Sequence, residues 1–188
     1  MAVGPRIIRN LDLIRERAAE AVSERGLLER RGMDAFEDAV PGEPILARVR
    51  ARGGRSYYIV PFERRRLQRA RTEVAVQAAV IVNAYKGVYE QAISLTGDCF
   101  LRYLRAEVAL KLALKEIPEP LKYVNAPRLV FEPSAETPNR FLPVWQVIMP
   151  RRRAQVFVTP THEVVRRLAA TEDEFYDRAR RRLFRRTR

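Results

Sequence analysis

Hydrophobic residues recur at helical spacing over residues 5–31, where Ile7, Leu11, Ile14, Ala18, Ala21 and Val22 are separated by charged positions. This pattern predicts a helix that Gly32 ends. Pro41-Gly42 then marks a turn within a connector. Two apolar runs, 44–51 and 55–62, flank the short Arg52-Gly53-Gly54 and predict a hairpin. A third strand is expected at 76–83. Asn83-Ala84-Tyr85-Lys86-Gly87 should turn it into a short return strand over 88–95. Helical spacing resumes after Asp98, a candidate cap, with Leu101, Leu104, Val108 and Leu112 on one stripe. Phe100, Tyr103, Leu110 and Leu114 lie off that stripe, so this helix should be buried on two sides. Pro118 and Pro120 stop it. Strands are expected at 127–133, 140–149 and 153–159. A last helix is expected near 172–186, opened by a capping box of Thr171 and Glu174.

The order of elements repeats. SYYIVPFE leads to Val80-Ile81-Val82, and PVWQVIMP leads to Val156-Phe157-Val158, each after a helical stretch. Tyr58 would correspond to Trp145, and Val82 to Val158. The expected fold is α+β. It has two tandem units, each a helix on a three-stranded antiparallel sheet, over residues 5–95 and 97–168. A basic helix follows over 171–188, expected to be dispensable for folding. An insertion near 63–74 is the main difference between the copies.

Tyr58, Ile59 and Val60, followed by Val82-Asn83-Ala84-Tyr85-Lys86-Gly87-Val88, resemble the PepSY domain of metallopeptidase propeptides and other bacterial proteins. That family often reads valine-aspartate-alanine, two variable residues, then glycine at this turn. In the second copy, Val158 to Val164, Glu163 stands where the glycine is expected. Two such units in tandem are also similar in architecture to the beta-lactamase inhibitory protein. The resemblance implies a protein-binding or inhibitory module, not an enzyme.

Charge adds a second theme. The 188 residues include 36 basic and 23 acidic ones, a net charge of +13, and Lys86, Lys111, Lys115 and Lys122 are the only lysines. A G+C-rich genome accounts for arginine over lysine but not for the excess of base over acid. That excess points to an anionic partner. The expected partner is a protein with an acidic surface, and nucleic acid or another polyanion is the alternative. No apolar run is long enough to span a bilayer. Cys99 is the only cysteine, which excludes an intrachain disulfide. The N-terminus lacks a signal-peptide pattern, so the cytoplasm is the expected compartment, with export open if a leader had been removed.

Candidate chemistry is sparse. His162 is the only histidine and reads as a surface residue, and Cys99 opens an apolar stretch, so no nucleophile pair is expected. His162-Glu163-Val164-Val165-Arg166 lacks the second histidine of a zinc-protease helix. Gly53-Gly54 lacks the lysine of a phosphate loop. No catalytic residue, metal or cofactor is expected. The candidate contacts are aromatics and arginines, residue types enriched at binding hot spots. They are Tyr57, Tyr85, Tyr89 and Trp145 on a sheet face, the turn Arg151-Arg152-Arg153, and Arg178, Arg181, Arg182, Arg185 and Arg186 on the terminal helix. For that helix three readings are open: an RNA-binding arm, a membrane-surface helix, or a helix docked on an acidic partner.

Overall fold

The computed structural model describes residues 6–50, 54–64 and 73–169. The chain divides into two compact units, Met1–Arg105 and Ala106–Arg188. The expected 171–188 helix and its arginines lie outside the described residues.

In the first unit, α1 runs from Leu11 to Glu24. Asn10 caps it, accepting from the Leu13 N–H at 3.1 Å. Ile14, Ala18, Ala21 and Val22 form the buried stripe that the spacing predicts. The helix is shorter than 5–31. Gly26 adopts a left-handed φ of +56° and ends it before Gly32, and two 3-10 turns follow at Leu27–Glu29 and Asp34–Phe36.

Seven strands follow: β1 (Ala39–Pro41), β2 (Ile45–Val49), β3 (Tyr57–Arg64), β4 (Glu73–Val76), β5 (Ala78–Asn83), β6 (Tyr89–Ser94) and β7 (Leu101–Leu104). β2, β3, β5 and β6 form an antiparallel sheet in that order, with β1 beside the far end of β3. Tyr58, Val60 and Phe62 of β3 face the same side as Val82, Val80 and Ala78 of β5, their register partners. They pack with Ile14, Ala18 and Val22 of α1 into one core. Phe36 meets Phe62 edge-on, with ring centroids 4.9 Å apart. The opposite face, with Tyr57, Ile59, Ala79 and Ile81, is fully buried as well.

The second unit contains α2 (Ala106–Glu116) and β8 (Arg128–Phe131), β9 (Val144–Met149), β10 (Ala154–Val158) and β11 (Val164–Val165). These strands pair antiparallel in sequence order. α2 lies against β9 and β10 through Ala109 and Ala113, its buried residues. Small side chains there allow a close approach of helix to sheet. Val130, Val144, Phe157 and Val165 form a core cluster within this unit. The loop from β8 to β9 grips the chain beyond β11. The buried Glu136 carboxylate accepts the Ala169 N–H at 2.7 Å, and the Ala135 N–H donates to the Ala169 carbonyl at 3.3 Å.

The expected pair of helix-plus-three-strand units is therefore corrected. The first unit has five strands in its main sheet and a separate β4–β7 ribbon, the second has four strands, and α-helix is confined to α1 and α2 among the described residues. Two misreadings account for this. β1 was expected to be connector, but it pairs with β3 from Ala39↔Arg64 to Pro41↔Phe62. Leu101 and Leu104 were expected on the second helix, but they lie in β7, paired with β4 from Glu73↔Leu104 to Val76↔Leu101. Buried Leu101 and Tyr103 flank exposed Arg102, a period of two that the helical spacing of the leucines had masked. Val108 and Leu112 consequently sit half-buried on α2.

Part of the internal likeness survives locally. Tyr58 pairs with Val82, and Trp145 pairs with Val158, each across adjacent antiparallel strands. The turns that follow differ by one residue. Asn83 closes its turn by donating N–H to the Val88 carbonyl, and Gly87 takes the left-handed φ of +66°. Thr159 donates to the nearer Glu163 carbonyl, and His162 takes the same φ of +66°. The residue standing at the glycine-like position is thus His162 and not Glu163.

Candidate functional site

The turn between β9 and β10 gathers the most concentrated chemistry of the described surface. Met149 and Ala154 pair across its base. Pro150–Arg152 form a 3-10 turn, and the Arg153 N–H donates to the Pro150 carbonyl at 3.0 Å. Arg153 closes the turn with a left-handed φ of +48°. A second segment comes alongside. Pro118 and Pro120 end α2, and Leu121–Tyr123 form another 3-10 turn. The Asn125 N–H donates to the Ile148 carbonyl at 3.0 Å, which ties this segment to β9.

The two turns share side-chain contacts, and the three arginines have three different environments. The Arg151 guanidinium lies 4.7 Å from the centroid of the Tyr123 ring, and Lys122 Nζ lies 5.0 Å from it. Arg152 Nε is paired with Glu119 Oε2, and the Glu119 side chain is only 3% exposed. The Arg152 charge is therefore balanced within the protein. Arg153 projects from the turn into solvent. Leu121 is 64% exposed in the same turn as Lys122 and Tyr123. The result is a tip with positive charge at Lys122, Arg151 and Arg153, and apolar surface at Leu121 and Tyr123.

The other expected contacts are dispersed. Tyr57 is fully buried and forms no surface. Tyr85 is half-buried in the Asn83 turn, where its N–H donates to Asn83 Oδ1 at 3.0 Å. Tyr89 is half-buried on β6, packs against the α1 core and has Arg25 5.5 Å from its ring. Trp145 is half-buried on β9. Arg178, Arg181, Arg182, Arg185 and Arg186 lie outside the described residues. The structure thus joins Arg151, Arg152 and Arg153 to Glu119, Leu121, Lys122 and Tyr123, which sequence reasoning passed over. A lysine and an aromatic held just beyond two prolines were the available signal.

Potential acid–base groups are few. Tyr103 on β7 is buried, and its hydroxyl has no hydrogen-bond partner among the described residues. Burial, and secondarily the nearby Tyr57 phenol, hold its pKa far above the ordinary phenol value. It therefore stays protonated at any ordinary pH. Cys99 is exposed, and His162 occupies a tight turn. Among the described residues, no group of three or more His, Cys, Asp or Glu is placed to hold a metal ion. No described helix is long and apolar enough to cross a membrane. No protein-family model, curated protein or solved structure matches the chain.

Proposed function

We propose that this chain is a non-enzymatic binding module that docks through the β9–β10 tip on a partner protein with an acidic surface. One observation carries the reading. Leu121, 64% exposed, sits in the same turn as Tyr123, whose ring is met by both Lys122 and Arg151. Such a mixture of apolar, aromatic and guanidinium groups matches the composition of protein hot spots. A phosphate backbone gains little from an exposed leucine. A nucleobase that stacked on Tyr123 would compete with the two cations already over the ring. Carboxylates of a protein partner can meet Arg151 and Arg153 while apolar side chains cover Leu121.

The test is capture from native cell extract on the immobilised full chain, with and without nuclease, comparing wild type with Leu121→Ser and Arg151→Glu. A protein retained after nuclease by wild type and lost by both variants is the expected result. Capture that disappears with nuclease, survives Leu121→Ser and weakens log-linearly with salt would replace this reading by polyanion binding.

A further inference from the structure

In the first unit, β6 pairs with β5 on one side and with no described strand on the other. The register with β5 tells which way its backbone groups point. The Leu95 N–H donates to the Gln77 carbonyl at 2.7 Å, one step beyond the Ala78↔Ser94 pair. Hydrogen-bonded and non-bonded pairs alternate along an antiparallel ladder. Ile93 and Gln91 therefore also turn their N–H and C=O groups to β5. Those of Ala92 and Ser94 point away from it, to the side where no described strand lies. A row of outward backbone groups of this kind is a template for one more strand.

The template has defined ends. At its start the register with β5 shifts between Ile81 and Val82, which leaves Glu90 as the extra residue of a bulge, with its carboxylate accepting from Asn83 Nδ2 at 2.6 Å. Between Gln91 and Leu95 there is no proline and no charged residue, the features with which natural edges block a further strand. Charges of opposite sign flank the strand instead. Lys86 lies in the turn before β6 and Asp98 in the turn after it. Both are exposed, and neither is paired with another described residue.

We propose that β6 pairs antiparallel with β6 of a second copy of this chain, about a two-fold axis at Ile93. Ala92 of each copy then faces Ser94 of the other, and the outward groups of both residues are satisfied together. Ile93 meets Ile93 of the second copy, an apolar, β-branched cross-strand pair. The start of each strand lies beside the end of the other. Lys86 of each copy is thereby brought to the Asp98 end of its neighbour, twice over by symmetry. An unrelated extended peptide would satisfy the backbone groups but would not supply this reciprocal pair of charges. One patch meets itself, so the contact closes at a dimer. It uses residues of the first unit alone and does not rest on the reading of the β9–β10 tip. The net charge of +13 on each copy opposes association. At physiological ionic strength, however, charges more than about 8 Å apart are largely screened. A single strand pair is a small interface, so the dimer is reversible.

The experiment is sedimentation velocity on the full chain from about 10 µM to about 1 mM, a range suited to a small transient contact. Wild type is expected to pass from monomer to dimer and no further. Ala92→Pro removes an outward N–H and no bond to β5, a placement that edge strands tolerate. Lys86→Glu sets like charges at both ends of the contact. Each variant should dimerise about tenfold more weakly or not at all. Lys86→Glu combined with Asp98→Lys should dimerise again, because the reciprocal charges are restored with their signs exchanged. Arg151→Glu, at the β9–β10 tip, should dimerise as wild type does. Thiols read the register in a Cys99→Ser background. Ile93→Cys should give a disulfide-linked dimer with oxidised glutathione, since directly opposed Cβ atoms lie about 4.5–5.5 Å apart, whereas Gln91→Cys should not. If circular dichroism shows that Ala92→Pro does not fold, the charge exchange and the thiols decide. Wild type that stays monomeric at about 1 mM, growth beyond a dimer, a charge exchange that fails to restore association, or Gln91→Cys crosslinking as readily as Ile93→Cys overturns the inference. Each of these results leaves the docking role of the tip intact.

Discussion

Replacing Tyr103 by phenylalanine should make this protein more stable. The Tyr103 hydroxyl is buried and has no hydrogen-bond partner among the described residues, so folding strips it of water without replacement. An unsatisfied buried polar group costs about 1–3 kcal/mol, and most of that is recovered when the oxygen is removed and the ring kept. A gain of about 1–2 kcal/mol corresponds to a Tm raised by about 3–6 °C in a chain of this size. Tyr58 supplies the opposite control. Its hydroxyl donates to the Ile8 carbonyl at 2.6 Å, so Tyr58→Phe should lose about 1 kcal/mol. Calorimetric melting of both variants reads the two signs side by side. A second readout comes from alkali. Burial raises the Tyr103 pKa in the folded state above the 10.0 of an exposed phenol. The folded chain then holds this proton where the unfolded chain releases it. The associated stability is complete below pH 10 and declines as pH rises toward the folded value. Tyr103→Phe removes that decline, so the variant should resist alkaline unfolding further than wild type. A Tyr103→Phe protein that melts lower than wild type, by as much as Tyr58→Phe does, would refute the reasoning and show that the hydroxyl is satisfied.

Three other perturbations have defined outcomes. Arg152→Ala leaves the Glu119 carboxylate buried without its cation and should cost about 1–2 kcal/mol in urea unfolding, less than a fully buried pair because Arg152 is half exposed; adding Glu119→Gln should restore much of the loss. Gly87→Ala forces a side chain into a left-handed turn at φ +66° and to within 3.3 Å of Ile8 Cδ1, and should lower stability by about 1–2 kcal/mol in a thermal assay. Ala109→Leu should overpack the contact of α2 with its sheet at a cost of about 1–3 kcal/mol, while Lys111→Leu on the exposed face of the helix should leave the melting temperature within about a degree.

What was legible in the sequence followed from local periodicity. Ile14, Ala18, Ala21 and Val22 announce α1 because one face of a helix repeats every three or four residues, and all four are buried. Tyr58, Val60 and Phe62 announce a core-facing strand edge to edge with Val82, Val80 and Ala78. Where two periods coincide, the reading fails. Leu101 and Leu104 are spaced for a helix that would run on through Val108 and Leu112. The partner that makes 101–104 a strand is β4, more than twenty residues earlier. β1 is only three residues long and ends in proline, too short to display any period. The candidate site was legible in composition and not in assembly. Arg151, Arg152 and Arg153 are conspicuous as a triplet. Their separate roles depend on Tyr123 and Glu119, which reach the turn because the Asn125 N–H finds the Ile148 carbonyl. No short-range rule encodes a bond of that kind.

The bond from the Ala169 N–H to the Glu136 carboxylate has a consequence for synthesis on the ribosome. A chain emerges N-terminus first, and domains generally fold as units in that order. Every strand of the first unit's sheet has been made by residue 94, so that sheet can close early. The bond between the Ala169 N–H and Glu136 cannot form until Ala169 has left the exit tunnel. Until then the β8–β9 loop lacks this bond and the one from the Ala135 N–H to the Ala169 carbonyl. A nascent chain stalled short of Ala169 should therefore show a protease-resistant first unit beside a second unit whose β8–β9 loop is still cleaved.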